Sequence, residues 1–322
     1  MTVLVTGAGL IGASFAQWAL KRGESVVFLD PEPRSDFLRA KLGGSADYSL
    51  VRADVRDLPA IIAAIRDHKV ETVVHTAGLI GSRVDAMLYT ALTVNLMGTI
   101  NVAEAVRLTG VRRMVHTSTF GVYDARREQR EPIAESFPRG PGRGYGNSKV
   151  AKELILEAYQ RKYGFELVML RPANVFGLGH FWSGSGGGEK MQALMEAGIS
   201  GTPARIAQEE TMANEYIYAK DMGRAVDLAT TAPAPKSMMF NIGNGVVTPF
   251  DELLTTMRRV FPKLEIDIQP GEPPKSKSQP LDISAAKREL GWSPQFTLEA
   301  AIRDYVADLK AFGPDARNRL RA

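Results

Sequence analysis

The sequence contains no cysteine in its 322 residues. This absence excludes disulfides, thiolate nucleophiles and cysteine-ligated zinc, and it agrees with a cytoplasmic location. No apolar run approaches the roughly 20 residues that a membrane-spanning helix needs. The first strand pattern begins at Val3, which leaves no room for a signal peptide. We therefore predict a cytoplasmic protein that has no membrane anchor.

The chain also lacks a strong charge of either sign, with 40 Lys and Arg against 36 Asp and Glu. The small basic excess is spread along the sequence rather than gathered in one run. Nucleic acid binding is therefore not predicted, and we expect a small molecule as the binding partner and no metal. Hydrophobic residues make up 44% of the chain, which is enough to fill the core of one large domain or two fused lobes.

Short apolar runs rich in Val, Leu and Ile alternate with longer helical stretches in the first half of the chain, a pattern typical of βαβ units. The near-continuous apolar character of these runs indicates strands that are buried on both faces. We therefore predict an α/β fold of Rossmann type with a doubly wound parallel sheet. The predicted strands are Val3 to Thr6, Ser25 to Asp30, Tyr48 to Ala53, Thr72 to Thr76, Met114 to Ser118 and Leu167 to Arg171.

The texture of the sequence changes after Pro172, where a glycine-rich stretch and longer irregular segments begin. We predict that a smaller, substrate-binding lobe starts there and that part of the later chain returns to the main sheet. The predicted division is residues 1–175 and about 219–242 for the cofactor-binding domain, 176–218 and 243–312 for the smaller lobe, and 313–322 for a polar tail.

Local signals predict further elements in the second half of the chain. Asp221 is predicted to cap a helix between two strands, Thr248 and Pro249 indicate a helix start before Leu253, and Gly291 is predicted to end a helix. The predicted strands are Tyr216 to Tyr218 and Met238 to Ile242, and the predicted later helices are Asp282 to Leu290 and Leu298 to Lys310.

Three glycines, Gly7, Gly9 and Gly12, follow the first predicted strand and open the helical pattern Ala13 to Lys21. Glycine permits a tight turn and lets the backbone approach a pyrophosphate, whose charge is favourable at the N-terminal N–H groups of a helix. Because a glycine motif in this context is typical of dinucleotide sites, we predict one here. A turn without a ligand is the alternative.

Two aspartates at strand ends refine this prediction. Asp30 is placed to accept hydrogen bonds from a ribose 2′-hydroxyl and would repel a 2′-phosphate, which predicts NAD rather than NADP as the cofactor. Arg34 and Arg39 lie downstream and would soften this preference. Asp54 is interpreted either as an acceptor for the adenine amino group or as a helix cap.

Tyr145 and Lys149 lie four residues apart where the helical pattern Val150 to Tyr163 opens, so both lie on one helix face. Removing the proton of an alcohol as hydride leaves needs a base that works near neutral pH, whereas free tyrosine has a pKa of about 10. A neighbouring ammonium favours the phenolate, and the nicotinamide ring of the oxidised cofactor adds positive charge. The hydroxyls of the preceding segment Thr117 to Thr119 are placed to hold the substrate oxygen. A surface helix carrying both residues is the alternative.

Further motifs occur in an order that is known from one superfamily of enzymes. They are Asp54-Val55-Arg56-Asp57, His75-Thr76-Ala77-Gly78, Asn95-Leu96-Met97-Gly98-Thr99, Arg171-Pro172-Ala173-Asn174-Val175-Phe176-Gly177 and the C-terminal segment Asp282 to Trp292. With the glycine turn and the Tyr145–Lys149 pair, they resemble the extended short-chain dehydrogenase/reductase superfamily, which contains nucleotide-sugar epimerases and dehydratases. The resemblance covers almost the whole chain and implies an NAD-dependent enzyme.

The resemblance implies roles for individual residues. Tyr145 matches the general base, Lys149 the residue that lowers its pKa and binds the nicotinamide ribose, and Thr119 the catalytic hydroxyl. Asn95 matches the asparagine that supports the site, although a surface asparagine is the alternative. The implied cofactor contacts are Gly7, Gly9, Leu10, Ile11, Gly12, Asp30, Asp54, Val55, Thr76, Ala77, Gly78, Asn95, Thr117, Tyr145, Lys149, Pro172, Ala173 and Val175. The predicted substrate contacts are Ser118, Thr119, Tyr145, Asn174 and His180. For His180, a loop residue packed on the smaller lobe is the alternative.

Two departures from the superfamily bear on the substrate. Nucleotide-sugar enzymes carry one arginine before the strand written here Glu215 to Tyr218, and another before the C-terminal motif. The matching positions hold Asn214 and the segment Pro273 to Lys277. Asparagine cannot replace the charged fork of arginine on a diphosphate. Dehydratases carry an Asp-Glu pair after the catalytic threonine, where Phe120 and Gly121 stand here, so we do not expect elimination of water.

The first hypothesis is therefore an NAD-dependent dehydrogenase that oxidises a secondary alcohol of a small carbohydrate-like or hydroxy-acid substrate without a nucleotide. The alternative is a UDP-sugar 4-epimerase with tightly bound NAD, and a third hypothesis is a non-catalytic dinucleotide sensor. The resemblance also implies a homodimer formed by the helices at Leu88 to Leu108 and Val150 to Tyr163. Burial in the core explains their apolar residues nearly as well.

Overall fold

The computed structural model describes residues 1–44, 47–128, 131–179, 186–274 and 279–312. The strands are β1 (Thr2–Thr6), β2 (Ser25–Leu29), β3 (Tyr48–Val51), β4 (Thr72–His75), β5 (Arg113–Thr117), β6 (Glu166–Pro172), β7 (Asn174–Phe176), β8 (Ala204–Ala207), β9 (Tyr216–Tyr218), β10 (Met239–Ile242) and β11 (Ile266–Gln269). The helices are α1 (Leu10–Lys21), α2 (Ser35–Leu42), α3 (Leu58–Asp67), α4 (Ser82–Ala86), α5 (Leu88–Leu92), α6 (Gly98–Thr109), α7 (Gly144–Tyr163), α8 (Gly186–Ser200), α9 (Ala219–Thr231), α10 (Phe250–Val260), α11 (Ser284–Leu290) and α12 (Leu298–Phe312).

Seven parallel strands form the main sheet, in the order β3-β2-β1-β4-β5-β6-β10. This order confirms the predicted Rossmann-type α/β fold. Val3 of β1 lies between Val26 of β2 and Thr72 of β4. Because the chain crosses from the edge strand β3 back to the centre at β4, a crevice opens at the carboxyl ends of β1 and β4. Ligands bind at such a crevice in doubly wound sheets.

Helices cover both faces of this sheet, which explains why its strands are almost continuously apolar. Val5 and Val115 point into the layer that contains residues of α1, α2 and α9, whereas Leu4, Val73 and Met114 point into the layer of α3, α6 and α7. All five side chains are fully buried. Burying a side chain of this size contributes about 1.5–3 kcal/mol, so both layers fix the strand ends that form the crevice.

Two smaller parallel pairs, β7 with β9 and β8 with β11, lie outside the main sheet. The strand β10 joins the main sheet beside β6, with Met239 opposite Met169. The division of the chain into a cofactor-binding domain and a smaller lobe stays a prediction. None of the helices in the described ranges is both long enough and apolar enough to cross a membrane.

Some local predictions differ from the structure. Asp221 lies inside the first turn of α9, which is preceded by Tyr218 as its N-cap, so the predicted capping role is wrong. The Asp221 carboxylate instead accepts hydrogen bonds from the backbone N–H groups of Gln295 and Phe296, at 3.0 and 3.1 Å. The predicted helix from Leu88 to Leu108 is interrupted by a π-helical turn at Thr93–Met97. Gly291 does end α11, in the left-handed conformation.

Candidate active site

The glycine turn lies directly at the crevice, between β1 and α1. Gly7 has a φ of +90°, and a Cβ atom there would lie 2.9 Å from Thr76 Oγ1. A Cβ on Gly12 would overlap the Gly7 carbonyl oxygen. Helix α1 begins at Leu10 and has no side-chain cap, and a Cβ on Gly9 would meet nothing within 4 Å. The turn therefore offers uncapped N–H groups beside open space, which fits the pyrophosphate of a dinucleotide.

Asp30, which follows β2, is tied to this turn. Its Oδ2 accepts a hydrogen bond from Ala8 N at 2.9 Å, and its Oδ1 accepts one from Glu32 N at 2.9 Å. Arg34 immediately precedes α2, and Arg39 lies within it. The carboxylate of Asp30 is thus fixed by backbone groups at the edge of the crevice, and its contact with a ribose hydroxyl stays a prediction.

Asp54 follows β3 and forms an ion pair with Arg56. Its Oδ1 accepts from Arg56 Nε at 3.0 Å, and its Oδ2 accepts from Arg56 Nη2 at 2.7 Å. These hydrogen bonds hold the pKa of the Asp54 carboxyl below its usual range. The helix cap at this point is Asp57, whose side chain accepts from Ala60 N. The alternative interpretation of Asp54 as a helix cap is therefore wrong, whereas contact with adenine stays a prediction.

The loop after β4 lines the other side of the crevice. Thr76 Oγ1 donates to the carbonyl oxygens of Thr6 and Gly7, at 2.8 and 3.1 Å. Gly78 has a φ of +155°, and a Cβ atom there would lie 2.8 Å from Asn95 Oδ1. The structure therefore brings together the predicted cofactor residues that follow β1 and β4.

Asn95 is fully buried in the π-helical turn, so the alternative of a surface asparagine is wrong. Its Oδ1 accepts from Leu79 N at 2.8 Å, and its Nδ2 donates to Leu79 O at 3.0 Å and to Ser148 Oγ at 3.1 Å. Ser148 Oγ in turn donates to the carbonyl oxygen of Tyr145 at 2.8 Å. Asn95 thus connects the loop after β4 to the first turn of α7.

Thr119, Tyr145 and Lys149 meet at the carboxyl end of β5. Lys149 Nζ donates to the carbonyl oxygen of Thr117 at 2.7 Å and lies 5.7 Å from the centre of the Tyr145 ring. A hydrogen bond from the Thr119 side chain favours the phenolate form of Tyr145. Thr119 Oγ1 also accepts from Gly121 N at 3.2 Å. The hydroxyl, phenol and ammonium therefore form one cluster, as the spacing of the motif predicts.

Burial dominates the acid–base properties of this cluster. It raises the pKa of the Tyr145 phenol to about 12, with the Thr119 hydrogen bond acting weakly in the opposite direction. Burial also lowers the pKa of the Lys149 ammonium to about 8, while the charge of Glu153 raises it. The protein alone therefore does not lower the pKa of the Tyr145 phenol. The positive charge of the oxidised cofactor, which is part of the prediction from sequence, is the second charge that would favour the phenolate.

Other predicted contacts surround the cluster. Ser118 is buried and donates from Oγ to Glu153 Oε1 at 2.5 Å, and Thr117 Oγ1 is buried without a hydrogen-bond partner in the described ranges. Asn174 is buried and donates from Nδ2 to Glu215 O at 3.0 Å. Val55 packs against Gly98 of α6. Pro172 ends β6, Ala173 follows it and Val175 lies in β7, whereas His180 lies outside the described residues.

Sequence reasoning missed a buried ion pair behind the cluster. Arg171 donates from Nε and Nη2 to the two carboxylate oxygens of Glu153, at 2.9 and 2.7 Å. Both side chains are fully buried, and Arg139 Nη1 approaches Glu153 at 3.2 Å. The signal was present in the spacing, because Glu153 continues the interval of four residues from Tyr145 and Lys149 along one face of α7.

At the position where nucleotide-sugar enzymes carry an arginine, Asn214 is buried and donates from Nδ2 to Met212 O at 3.2 Å. The next residue, Glu215, accepts from Gly245 N and Leu281 N, both at 2.7 Å. Burial raises the pKa of the Glu215 carboxyl to about 7. In the second segment with a missing arginine, Lys275 to Lys277 lie outside the described residues.

Comparisons with known proteins agree with this geometry. The NAD dependent epimerase/dehydratase family matches residues 3–243. The chain is 32% identical to a UDP-glucose 4-epimerase of Mycolicibacterium smegmatis, over 95% of this chain and 97% of that one. It resembles the structure of the Thermus thermophilus UDP-glucose 4-epimerase complex with NAD, with a TM-score of 0.81 and 28% identity over 96% and 99% of the two chains. A Bifidobacterium longum UDP-glucose 4-epimerase has the same fold, with a TM-score of 0.86 and 21% identity over 98% and 100%.

The parallel sheet, the glycine turn and the Thr119–Tyr145–Lys149 cluster define a Rossmann-type oxidoreductase of the extended short-chain dehydrogenase/reductase superfamily. Within that class, the chain belongs to the NAD dependent epimerase/dehydratase family. The protein is therefore an enzyme that uses NAD as its cofactor.

Proposed function

We propose that the protein is a UDP-sugar 4-epimerase that oxidises one secondary alcohol of the sugar and then reduces the same carbon from the opposite face. The observation that carries this proposal is the Thr119–Tyr145–Lys149 cluster beside the glycine turn, in a chain 32% identical over 95% of its length to a UDP-glucose 4-epimerase. The dehydrogenase hypothesis that the sequence alone favours becomes the second candidate.

The proposed chemistry is a proton transfer coupled to reversible hydride transfer. NAD, when bound, supplies a ring that accepts hydride from the alcohol carbon and returns it. Tyr145 accepts the hydroxyl proton as the carbon is oxidised to a ketone, and it returns the proton when the carbon is reduced. Because burial raises the pKa of Tyr145 to about 12, this step depends on the positive charges of Lys149 and of the oxidised cofactor. Thr119 holds the substrate oxygen.

We infer the cofactor contacts from the same geometry. The uncapped N-terminus of α1, reached through Gly7, Gly9, Leu10, Ile11 and Gly12, takes the pyrophosphate. Asp30 accepts from the adenine ribose, and Asp54 with Val55 contacts adenine. The remaining contacts are Thr76, Ala77, Gly78, Asn95, Thr117, Tyr145, Lys149, Pro172, Ala173 and Val175.

The substrate contacts belong to the same proposal. Ser118, Thr119, Tyr145, Asn174 and His180 are the proposed set, and the predicted smaller lobe at residues 176–218 and 243–312 supplies the rest of the site. Ser118 already donates its proton to Glu153, so it would contact the substrate as a hydrogen-bond acceptor.

One observation favours the second candidate, a dehydrogenase for a substrate without a nucleotide. Asn214, at the position where nucleotide-sugar enzymes carry an arginine, is buried, uncharged and bonded to the carbonyl oxygen of Met212. A diphosphate carries negative charge and needs arginine or lysine in contact. If the second candidate is correct, the substrate is smaller and less charged.

Incubating the purified enzyme and NAD with UDP-glucose, and following the C4 configuration by proton NMR, tests the proposal. The first candidate predicts UDP-galactose and a higher melting temperature in the presence of UDP. The second predicts no conversion, no effect of UDP, and NAD reduction at 340 nm by a member of a panel of polyols, sugar acids and hydroxy acids. A dinucleotide sensor would show neither activity.

We also propose that the enzyme acts as a homodimer. Large apolar side chains around α5 to α7 are exposed, which is typical of a surface that contacts another protein. Their exposed fractions are 42% for Met87, 48% for Leu88, 86% for Tyr89, 47% for Met97, 50% for Leu154 and 48% for Tyr163. Light scattering would measure a mass of about twice 35.1 kDa for a dimer. A cytoplasmic location likewise stays a prediction, which cell fractionation would test.

A further inference from the structure

A second lysine, Lys152, lies one helical turn after Lys149 on α7, and the proposed chemistry does not use it. Its side chain is fully buried, and Nζ donates to the carbonyl oxygen of Ala77 at 3.2 Å. A Cβ on Gly78 would lie 3.6 Å from the same nitrogen. Lys149 reaches the end of β5, whereas Lys152 reaches the end of the neighbouring strand β4. Both lysines therefore lie beneath the carboxyl edge of the sheet, where adjacent strands are about 4.8 Å apart.

Lys152 has no counter-ion within the described ranges. The adjacent carboxylate, Glu153, is already engaged by Arg171, Arg139 and Ser118. Burying an ammonium without a counter-ion destabilises the fold, and a like charge nearby destabilises it further. Burial and the charge of Lys149 accordingly hold the pKa of Lys152 well below its usual value. The folded chain therefore disfavours the charged form of Lys152.

The titratable groups that face Lys152 are Lys149 and two buried histidines, His75 and His116. Thr99 Oγ1 donates its one proton to Asn95 O at 2.6 Å, so it can only accept from His75 Nε2, at 3.0 Å. His75 Nδ1 then accepts from Thr6 Oγ1 at 2.7 Å. His116 stacks on His75 with ring centres 5.3 Å apart. Burial together with Lys152 and Lys149 lowers the pKa of both histidines well below the usual value. Neither histidine therefore supplies a counter-charge for Lys152.

A hydrophobic residue at position 152 would give a more stable fold, because it would remove the desolvation of the amine. The lysine is nevertheless bonded to the loop Ala77–Gly78, which lines the crevice. A buried group that costs stability and contacts a binding loop is a candidate for a functional role. We propose that Lys152 is a positioning residue of the NAD site, which fixes the Ala77–Gly78 loop from behind through its hydrogen bond to the Ala77 carbonyl oxygen. This inference rests on the proposed placement of NAD against that loop.

The test is to replace Lys152 and to measure NAD binding calorimetrically, without any sugar substrate. We expect Lys152→Met to raise the NAD dissociation constant about tenfold at pH 8, because the Ala77 carbonyl oxygen loses its hydrogen-bond donor. Lys152→Gln, which retains an N–H donor but does not titrate, should lose less affinity. Lys190→Met is the matched control, because Lys190 is a buried lysine that donates to the carbonyls of Glu210 and Met212. It should bind NAD normally.

Thermal unfolding separates a positioning role from a purely structural one. The pKa of Lys152 is lower in the folded chain than in the unfolded chain. Lys152 therefore lowers the free energy of unfolding by an amount that grows as pH falls below about 10. Without NAD, Lys152→Met should therefore melt higher than the wild type, by more at pH 7 than at pH 9.5.

Two results would overturn the inference. One is an unchanged NAD dissociation constant in Lys152→Met at every pH. The other is weaker NAD binding that accompanies a lower melting temperature, which would mean that the lysine only supports the fold. Because NAD binding is measured without a sugar, the NAD dissociation constants of the Lys152 variants test this inference even if the 4-epimerase assay fails. The two proposals can therefore fail separately.

Discussion

The cofactor edge of the main sheet and the adjoining strands of the second half use polar groups in opposite ways. At the cofactor edge, α1 starts without a side-chain cap and faces open space next to Gly9. In the second half, Lys190 and Glu215 are buried and bonded to backbone groups of their own surroundings. The first region offers N–H groups to an anionic ligand. In the second region, these two charged side chains already have hydrogen-bond partners within the protein.

This difference bears on the two ligands. NAD use agrees with the family of the chain and with the uncapped N-terminus of α1 beside open space. Recognition of a nucleoside diphosphate would require positive groups where the matching positions hold Asn214 and the segment Pro273 to Lys277. The comparison is therefore most informative if the two regions are changed separately.

The largest expected effect is on turnover, from Tyr145→Phe. Removing the general base should lower the rate about 10²–10⁴-fold, with NAD affinity changed less than about twofold. The control is Tyr163→Phe, since Tyr163 lies at the exposed end of the same helix. Steady-state rates and NAD titrations check both variants. Full turnover in Tyr145→Phe would mean that another residue is the base.

The next effect is on the cofactor edge itself. Gly12→Ala places a Cβ against the Gly7 carbonyl oxygen and forces the turn to open, so NAD affinity should fall roughly 10–100-fold, equivalent to about 1.4–3 kcal/mol. At Gly44 a Cβ would meet nothing within 4 Å, so Gly44→Ala is the control. Calorimetric NAD titration measures both. Normal affinity in Gly12→Ala would show that the cofactor does not depend on this turn.

A smaller change is expected in cofactor preference. Asp30→Asn retains an oxygen acceptor but removes the charge that repels a 2′-phosphate, so the preference for NAD over NADP should decrease about tenfold. Dissociation constants for the two cofactors provide the ratio. If the ratio does not change, Asp30 does not face the ribose.

The smallest expected effect concerns the second half of the molecule. Burial raises the pKa of Glu215 to about 7, above the value in the unfolded chain. The protonated carboxyl therefore contributes fully to stability below about pH 4.5, and this contribution is lost as pH rises through 7. The melting temperature of wild type minus that of Glu215→Gln should therefore decrease by a few degrees between pH 4.5 and 7.5. A constant difference would contradict the internal role of this carboxyl.

The cofactor edge was also the easier region to predict from sequence. Gly7, Asp30 and Thr76 directly follow strands that are buried on both faces, so the apolar pattern locates their surroundings as well. The parallel order of β1 to β6 and β10 then brings these residues to one edge.

Elements of the second half carry weaker signals. Helix α8 begins within a glycine-rich stretch that suggests a loop, and its position depends on packing against β7 and β8. The strands β8 and β11 have only four residues each. Ala204 pairs with Ile266, 62 residues later in the chain, and no local sequence pattern reveals this pairing. The inward hydrogen bonds of Glu215 likewise depend on Gly245 and Leu281, which are distant in the chain.

The most direct test of the proposed function follows one hydrogen atom. UDP-glucose carrying deuterium at C4 is incubated with the enzyme and NAD, and the products are analysed by NMR and mass spectrometry. The proposal predicts UDP-galactose that retains deuterium at C4, without net reduction of NAD. Unchanged UDP-glucose, or deuterium released on reduced cofactor without a C4 epimer, would contradict it.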